Sequence, residues 1–84
     1  MGQGVSMMQL SELPPDSIAI ITGIDAMASD DLRQRLVALG IVAGQSVQVL
    51  RTAGWGGPLH IRVGATTEVA IRRQEATRVW VRWP

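Results

Sequence analysis

Four stretches that alternate apolar and polar residues at period two fill the second half of the chain, and they restrict its fold more than any other feature. Val47 and Val49 alternate with Ser46 and Gln48, and Leu59, Ile61 and Val63 with His60 and Arg62. Further on, Thr67, Val69 and Ile71 alternate with Glu68 and Ala70, and Val79, Val81 and Trp83 with Trp80 and Arg82. Successive side chains of a strand point to opposite faces, so each stretch has one apolar face and one wet face. That is the pattern of a half-buried antiparallel sheet. Upstream, Ile18 to Gly23 is dense in Ile and predicts a buried strand with Ile20 in the core. Five strands in so short a chain predict a small closed antiparallel barrel, because closure removes exposed sheet edges.

One helix is inserted after the first of these strands. Ser29 is a good N-cap, and Asp30 and Asp31 place negative charge on the first turn, where the helix dipole favours it. Leu32, Leu36 and Leu39 recur at i, i+4 and i+7 and form one apolar stripe. Asp31 and Arg35 have the spacing of an i, i+4 ion pair, and Gly40 suits the left-handed position that ends a helix. The spacing predicts a helix over residues 30–39, docked on the sheet. Before it, Met1 to Ser6 is rich in Gly, and residues 1–9 are expected to form a flexible tail to a domain spanning 10–84. Leu10 and Leu13 anchor the domain's start, and Pro14-Pro15-Asp16-Ser17 is a turn signal.

The loop between the third and fourth strands follows from parity. A two-residue loop would set Ile61 opposite Glu68 and bury a carboxylate. A three-residue loop, Gly64-Ala65-Thr66, pairs Val63 with Thr67 and Ile61 with Val69, and sets Arg62 opposite Glu68 on the wet face. The odd loop is the one expected, with Thr66 at a positive φ.

Composition narrows function. The 84 residues contain no Cys, which removes disulfides, thiolate zinc sites and thiol nucleophiles together. Eight basic residues, all Arg, face seven acidic ones, without the basic surplus of a nucleic-acid binder. The chain has no Lys, no Tyr, a single His, and no phosphate-binding or nucleophile-elbow pattern, so it is read as a non-enzyme. No apolar run is long enough to span a bilayer, and the N-terminus does not resemble a signal peptide, so the cytoplasm is expected and direct membrane insertion is not.

From Leu32 to Gly44, LRQRLVALGIVAG resembles the FeoA family, whose pattern is an R-L-x-x-L-G helix, an x-x-G turn and a V-x-V strand, here Val47-Gln48-Val49. The resemblance continues through Gly56-Gly57-Pro58 and the I-R-V strand to Ala70-Ile71-Arg72-Arg73-Gln74-Glu75-Ala76, and covers about Leu10 to Val81. It implies an SH3-like barrel in the cytoplasm, an accessory protein of bacterial ferrous iron uptake that docks on the cytoplasmic part of a FeoB-type permease. Related domains end metal-dependent repressors. The chain departs from the family at Asp16 and Thr66, where Gly is common, and at Gly57, where an acidic residue is common.

The expected partner-binding residues are Trp55, in a Gly-rich loop, Trp80, on the wet face between Arg78 and Arg82, Arg78 itself, and Arg33 on the exposed side of the helix. Large aromatics beside Arg have the composition of an interface hot spot. The alternatives are a nucleic-acid-binding barrel that stacks bases on Trp80, and a transition-metal-binding or sensor domain. For metal, His60 is the one imidazole, and one imidazole with scattered carboxylates predicts at most weak Fe²⁺ or Zn²⁺ binding by a monomer, with no cofactor required. Homo-oligomerisation stays open. Glu75 is expected to accept backbone amide bonds, with Ala76 packed inward.

Overall fold

The computed structural model describes residues 6–54 and 56–83. Six strands form one antiparallel sheet: β1 (Ser6–Gln9), β2 (Ile18–Ile24), β3 (Ser46–Thr52), β4 (Leu59–Val63), β5 (Thr67–Ile71) and β6 (Val79–Trp83). Their order across the sheet is β1-β6-β2-β3-β4-β5. Helix α1 (Asp30–Ala38) joins β2 to β3, a short helix α2 (Arg73–Ala76) joins β5 to β6, and a 3-10 turn at Leu10–Glu12 packs against α2. The alternating stretches after Gly44 all became strands, and their apolar faces share one core with Leu10, Leu13, Leu36, Ile41 and Ala76.

Where a loose tail was expected as far as residue 9, Ser6–Gln9 forms β1 against β6, with Met8 opposite Val81. The reason is that β6 has two neighbours to fill, and Met8 packs on the core from its second side. The sheet therefore has six strands where the pattern predicted five.

Strand β2 corrects the core. Ala19 and Ile21 are buried, whereas Ile18 is 57% exposed and Ile20 only half-buried. Ala19 pairs with Val47 and Ile21 with Val81, both inward, while Ile20 pairs with Ser46 and Arg82 on the outer face. A run with four apolar residues in a row carries no parity of its own, and its neighbours decide which half of it is buried.

Helix α1 forms where its caps say. The Ser29 hydroxyl accepts the Leu32 amide at 3.1 Å. At the other end Gly40, at φ 91°, closes a Schellman motif: its N–H donates to the Val37 carbonyl at 2.9 Å, and the Ile41 N–H donates to the Leu36 carbonyl at 3.0 Å. Leu36 and Ile41, the paired apolar positions of that motif, are both fully buried. Leu32 and Leu39 pack on the core from partly exposed positions. The expected Asp31–Arg35 pair gives way to a tertiary one, Arg35 Nη1 to Glu75 Oε2 at 2.6 Å, which ties α1 to α2.

The odd loop is present, with Val63 opposite Thr67, Ile61 opposite Val69 and Arg62 opposite Glu68. Its left-handed residue is Gly64, at φ 65°, and not Thr66. The Gly64 N–H donates to the Ser46 carbonyl at 2.9 Å, so the chain turns immediately after β4, at the residue with no Cβ to clash. The one described non-Gly residue at positive φ is Asp16, at 70°. It follows Pro15 in a turn closed by the Ser17 N–H on the Pro14 carbonyl at 3.2 Å, the Pro-then-left-handed order of a type II turn.

Candidate functional site

Inward-facing Val79 and Val81 leave Trp80 and Arg82 on the outer face of β6, and β1 and β2 flank that face. Trp80 is 36% exposed, opposite Gln9 on one side and Gly23 on the other. Gly23 sits where the β2–β6 register shifts, and a methyl group added there would meet nothing within 4 Å, so the space over Gly23 is open. Arg82 lies between Met7 of β1 and Ile20 of β2 in one cross-strand row. Met7 and Ile18 are more than half exposed. The outer face of β1, β6 and β2 thus carries four apolar side chains, Met7, Ile18, Ile20 and Trp80, around one arginine.

At the end of this face two of the expected docking residues, Arg33 and Arg78, meet on Asp25, which the sequence offered only as one of its scattered carboxylates. Asp25 Oδ2 accepts Arg78 Nη1 at 3.0 Å, and the Asp25 carbonyl accepts Arg33 Nη2 at 2.9 Å. The Asp25 N–H in turn donates to the Arg78 carbonyl at 2.7 Å, extending the β2–β6 ladder by one rung. Oδ1 accepts the Met27 amide at 3.0 Å, an Asx turn that ends β2. The Met27 amide first and the Arg78 guanidinium second hold the Asp25 carboxyl below the usual carboxylate range. An Asp two residues before a turn residue, just after an Ile-rich run, is the signal that would have found it.

On the far side of Arg78, a cleft of about 550 Å³ opens between α1 and α2, lined by Leu32, Arg72, Gln74, Glu75, Thr77 and Arg78. Glu75 accepts the Arg72 amide at 2.9 Å on Oε1 and Arg35 on Oε2, so its charge is matched from two sides. Ala76 beside it is fully buried, as its place in the sequence required.

Trp55 lies outside the described residues. His60 stands half exposed on β4, its Nε2 3.7 Å from Glu68 Oε1, while Glu68 Oε2 takes Arg62 Nη2 at 2.8 Å. Arg62 is the main reason the Glu68 carboxyl is held below its usual range. Among the described residues no three of His, Asp and Glu converge. One imidazole beside an arginine-paired carboxylate is a poor donor set for a transition metal.

A model of the FeoA domain matches residues 8–82. The chain belongs to the FeoA family. A solved FeoA, described as an iron uptake regulatory protein, is 35% identical over 92% of this chain and 97% of its own, with a TM-score of 0.80. The Stenotrophomonas maltophilia FeoA, solved as a zinc complex and described as a prokaryotic SH3 domain protein, is 37% identical over 88% of both chains, with a TM-score of 0.75. This FeoA domain is accordingly an SH3-like, mainly β fold. It also superposes on a manganese-dependent transcriptional repressor at a TM-score of 0.83, covering 98% of this chain and 44% of the repressor at 16% identity. That likeness is one of fold. No described helix is long and apolar enough to cross a membrane.

Proposed function

We propose that this FeoA domain is a non-enzymatic binding module of bacterial ferrous iron uptake, docking in the cytoplasm on the cytoplasmic part of a FeoB-type permease. The observation that carries the reading is the outer face of β6, where Trp80 is 36% exposed among the apolar side chains of Met7, Ile18 and Ile20. Indoles next to arginines dominate protein interfaces, because an indole buries a large area with few rotamers to freeze and arginine donates in a fixed fork. The Asp25 hub supports it further, holding Arg33 and Arg78 in place before any partner arrives. Family membership supports the link to iron uptake, and a bacterial ferrous iron transport activating role was suggested for the Stenotrophomonas relative.

The test is capture of the permease from detergent-solubilised membranes by the tagged full chain. Trp80→Ala is expected to keep its circular dichroism spectrum and to lose capture at least about thirtyfold, as truncating a buried interfacial Trp costs about 2 kcal/mol or more. A folded Trp80→Ala chain that captures the permease as well as the parent would place the docking surface elsewhere.

A further inference from the structure

The docking face around Trp80 does not account for the cleft between α1 and α2. Five of the chain's eight arginines, Arg33, Arg35, Arg72, Arg73 and Arg78, lie on α1, on α2 or within two residues of α2. The two carboxylates at the cleft's walls and edge, Glu75 and Asp25, are already matched by Arg35 and Arg78. Arg72 has no carboxylate within ion-pair distance among the described residues, and it lines the cleft together with the neutral Gln74 and Thr77. Asp30 and Asp31 at the start of α1 offset two of these arginines, but the lining itself holds two arginines, Arg72 and Arg78, against the single carboxylate of Glu75.

The lining also narrows the ligand. Leu32 is its one apolar side chain, and no aromatic ring lines it to stack on a nucleobase. A dianionic phosphate would bring its second charge against the Glu75 carboxylate, whereas a single carboxylate needs one arginine fork and leaves Glu75 undisturbed. A peptide segment supplies that carboxylate together with an apolar neighbour of the size of Leu32.

We propose that this cleft receives an acidic side chain of the protein partner, gripped by Arg72 beside the Asp25-paired Arg78, with the adjacent apolar residue of the same segment seated on Leu32. The proposal rests on the docking reading above and adds the chemistry of the segment that is recognised. Arg78 belongs to both surfaces, so one partner could cover Trp80 and send an acidic segment past Arg78 into the cleft.

The experiment titrates the ¹⁵N-labelled full chain with a capped leucine–glutamate–leucine peptide, with its leucine–glutamine–leucine counterpart and with inorganic phosphate, while Arg72→Gln is assayed for permease capture. Arg72 is exposed and contributes only its backbone to the Glu75 cap, so the substitution leaves the fold intact. The glutamate peptide is expected to shift the amides of Leu32 and residues 72–78, to bind at least fivefold more tightly than the glutamine peptide, and to lose that margin in Arg72→Gln. Permease capture is expected to fall by a similar factor. Shifts centred elsewhere, equal binding of the two peptides, or capture unchanged by Arg72→Gln would overturn the proposal. Phosphate saturating the same amides more tightly than the peptide would overturn it too, in favour of a simple anion site. If Trp80→Ala abolishes capture while Arg72→Gln leaves it untouched, the cleft proposal fails and the docking reading stands. If Trp80→Ala leaves capture intact, the docking reading fails on its own evidence.

Discussion

Leu36 and Val37 are neighbours on α1 with opposite surroundings, and the fold predicts opposite costs for shortening them. Leu36 is fully buried and is the only residue of the helix that is, whereas Val37 is 48% exposed. Leu36 is also the C3 residue of the Schellman motif, packed in the same core as Ile41 at C″. Truncation to Ala removes its buried methyl groups and leaves a cavity where strands and helix meet, which costs about 3–5 kcal/mol when the surroundings cannot collapse. Collapse is hindered here because Gly40 and the capped turn fix the helix end. In a domain of this size each kcal/mol lowers Tm by roughly 4–8 °C, so Leu36→Ala should melt about 12–40 °C below the parent. Such a loss is a large share of the stability of any small domain. Val37→Ala should stay within about 0.5 kcal/mol, since it removes exposed surface and improves helix propensity. Thermal melts and urea titrations of the two variants measure both. If Leu36→Ala costs less than about 1.5 kcal/mol, or Val37→Ala costs as much as it does, then α1 is not held by the packing described.

Three further outcomes are expected. Gly64→Ala should destabilise by about 1–2 kcal/mol because Gly64 has φ 65°, and Asp16→Val by a similar amount at φ 70°, whereas Thr66→Ala should change little; urea titration reads all three. Asp25 and Glu68 have lowered folded-state pKa values, so the stability they contribute is fully present above their ordinary pKa values and is lost as pH falls through the lowered ones. Melts from pH 7 down to 2 should therefore show the parent's advantage over Asp25→Asn or Glu68→Gln shrinking to nothing at the acid end. The isolated monomer should bind Fe²⁺ or Zn²⁺ no tighter than micromolar by calorimetry, and a nanomolar site abolished by His60→Ala would refute the reading of His60 as a solvated strand residue.

What could be read from the residues was whatever depends on local repeats. Period-two alternation placed β3 to β6, and parity alone required the three-residue loop that sets Arg62 against Glu68, 2.8 Å apart in the fold. Ser29, the acidic first turn and Gly40 marked α1 because capping chemistry is a matter of neighbours in sequence. The features that escaped are those in which two distant segments compete for one place. The Ile18 to Ile21 run has no alternation, and only Val47 and Val81 decide that Ala19 and Ile21 turn inward while Ile18 and Ile20 face out. Ser6–Gln9 is too short to show a period, and it is a strand only because β6 offers it an edge. Arg35 had an acidic neighbour one turn away and chose Glu75, 40 residues along the chain. Arg33 and Arg78 could be picked out singly as exposed arginines, but their meeting on Asp25 exists only once β2 and β6 are paired. Local sequence carries the period, the caps and the turns; long-range pairing decides faces, partners and the site, because each of those depends on which strand arrives alongside.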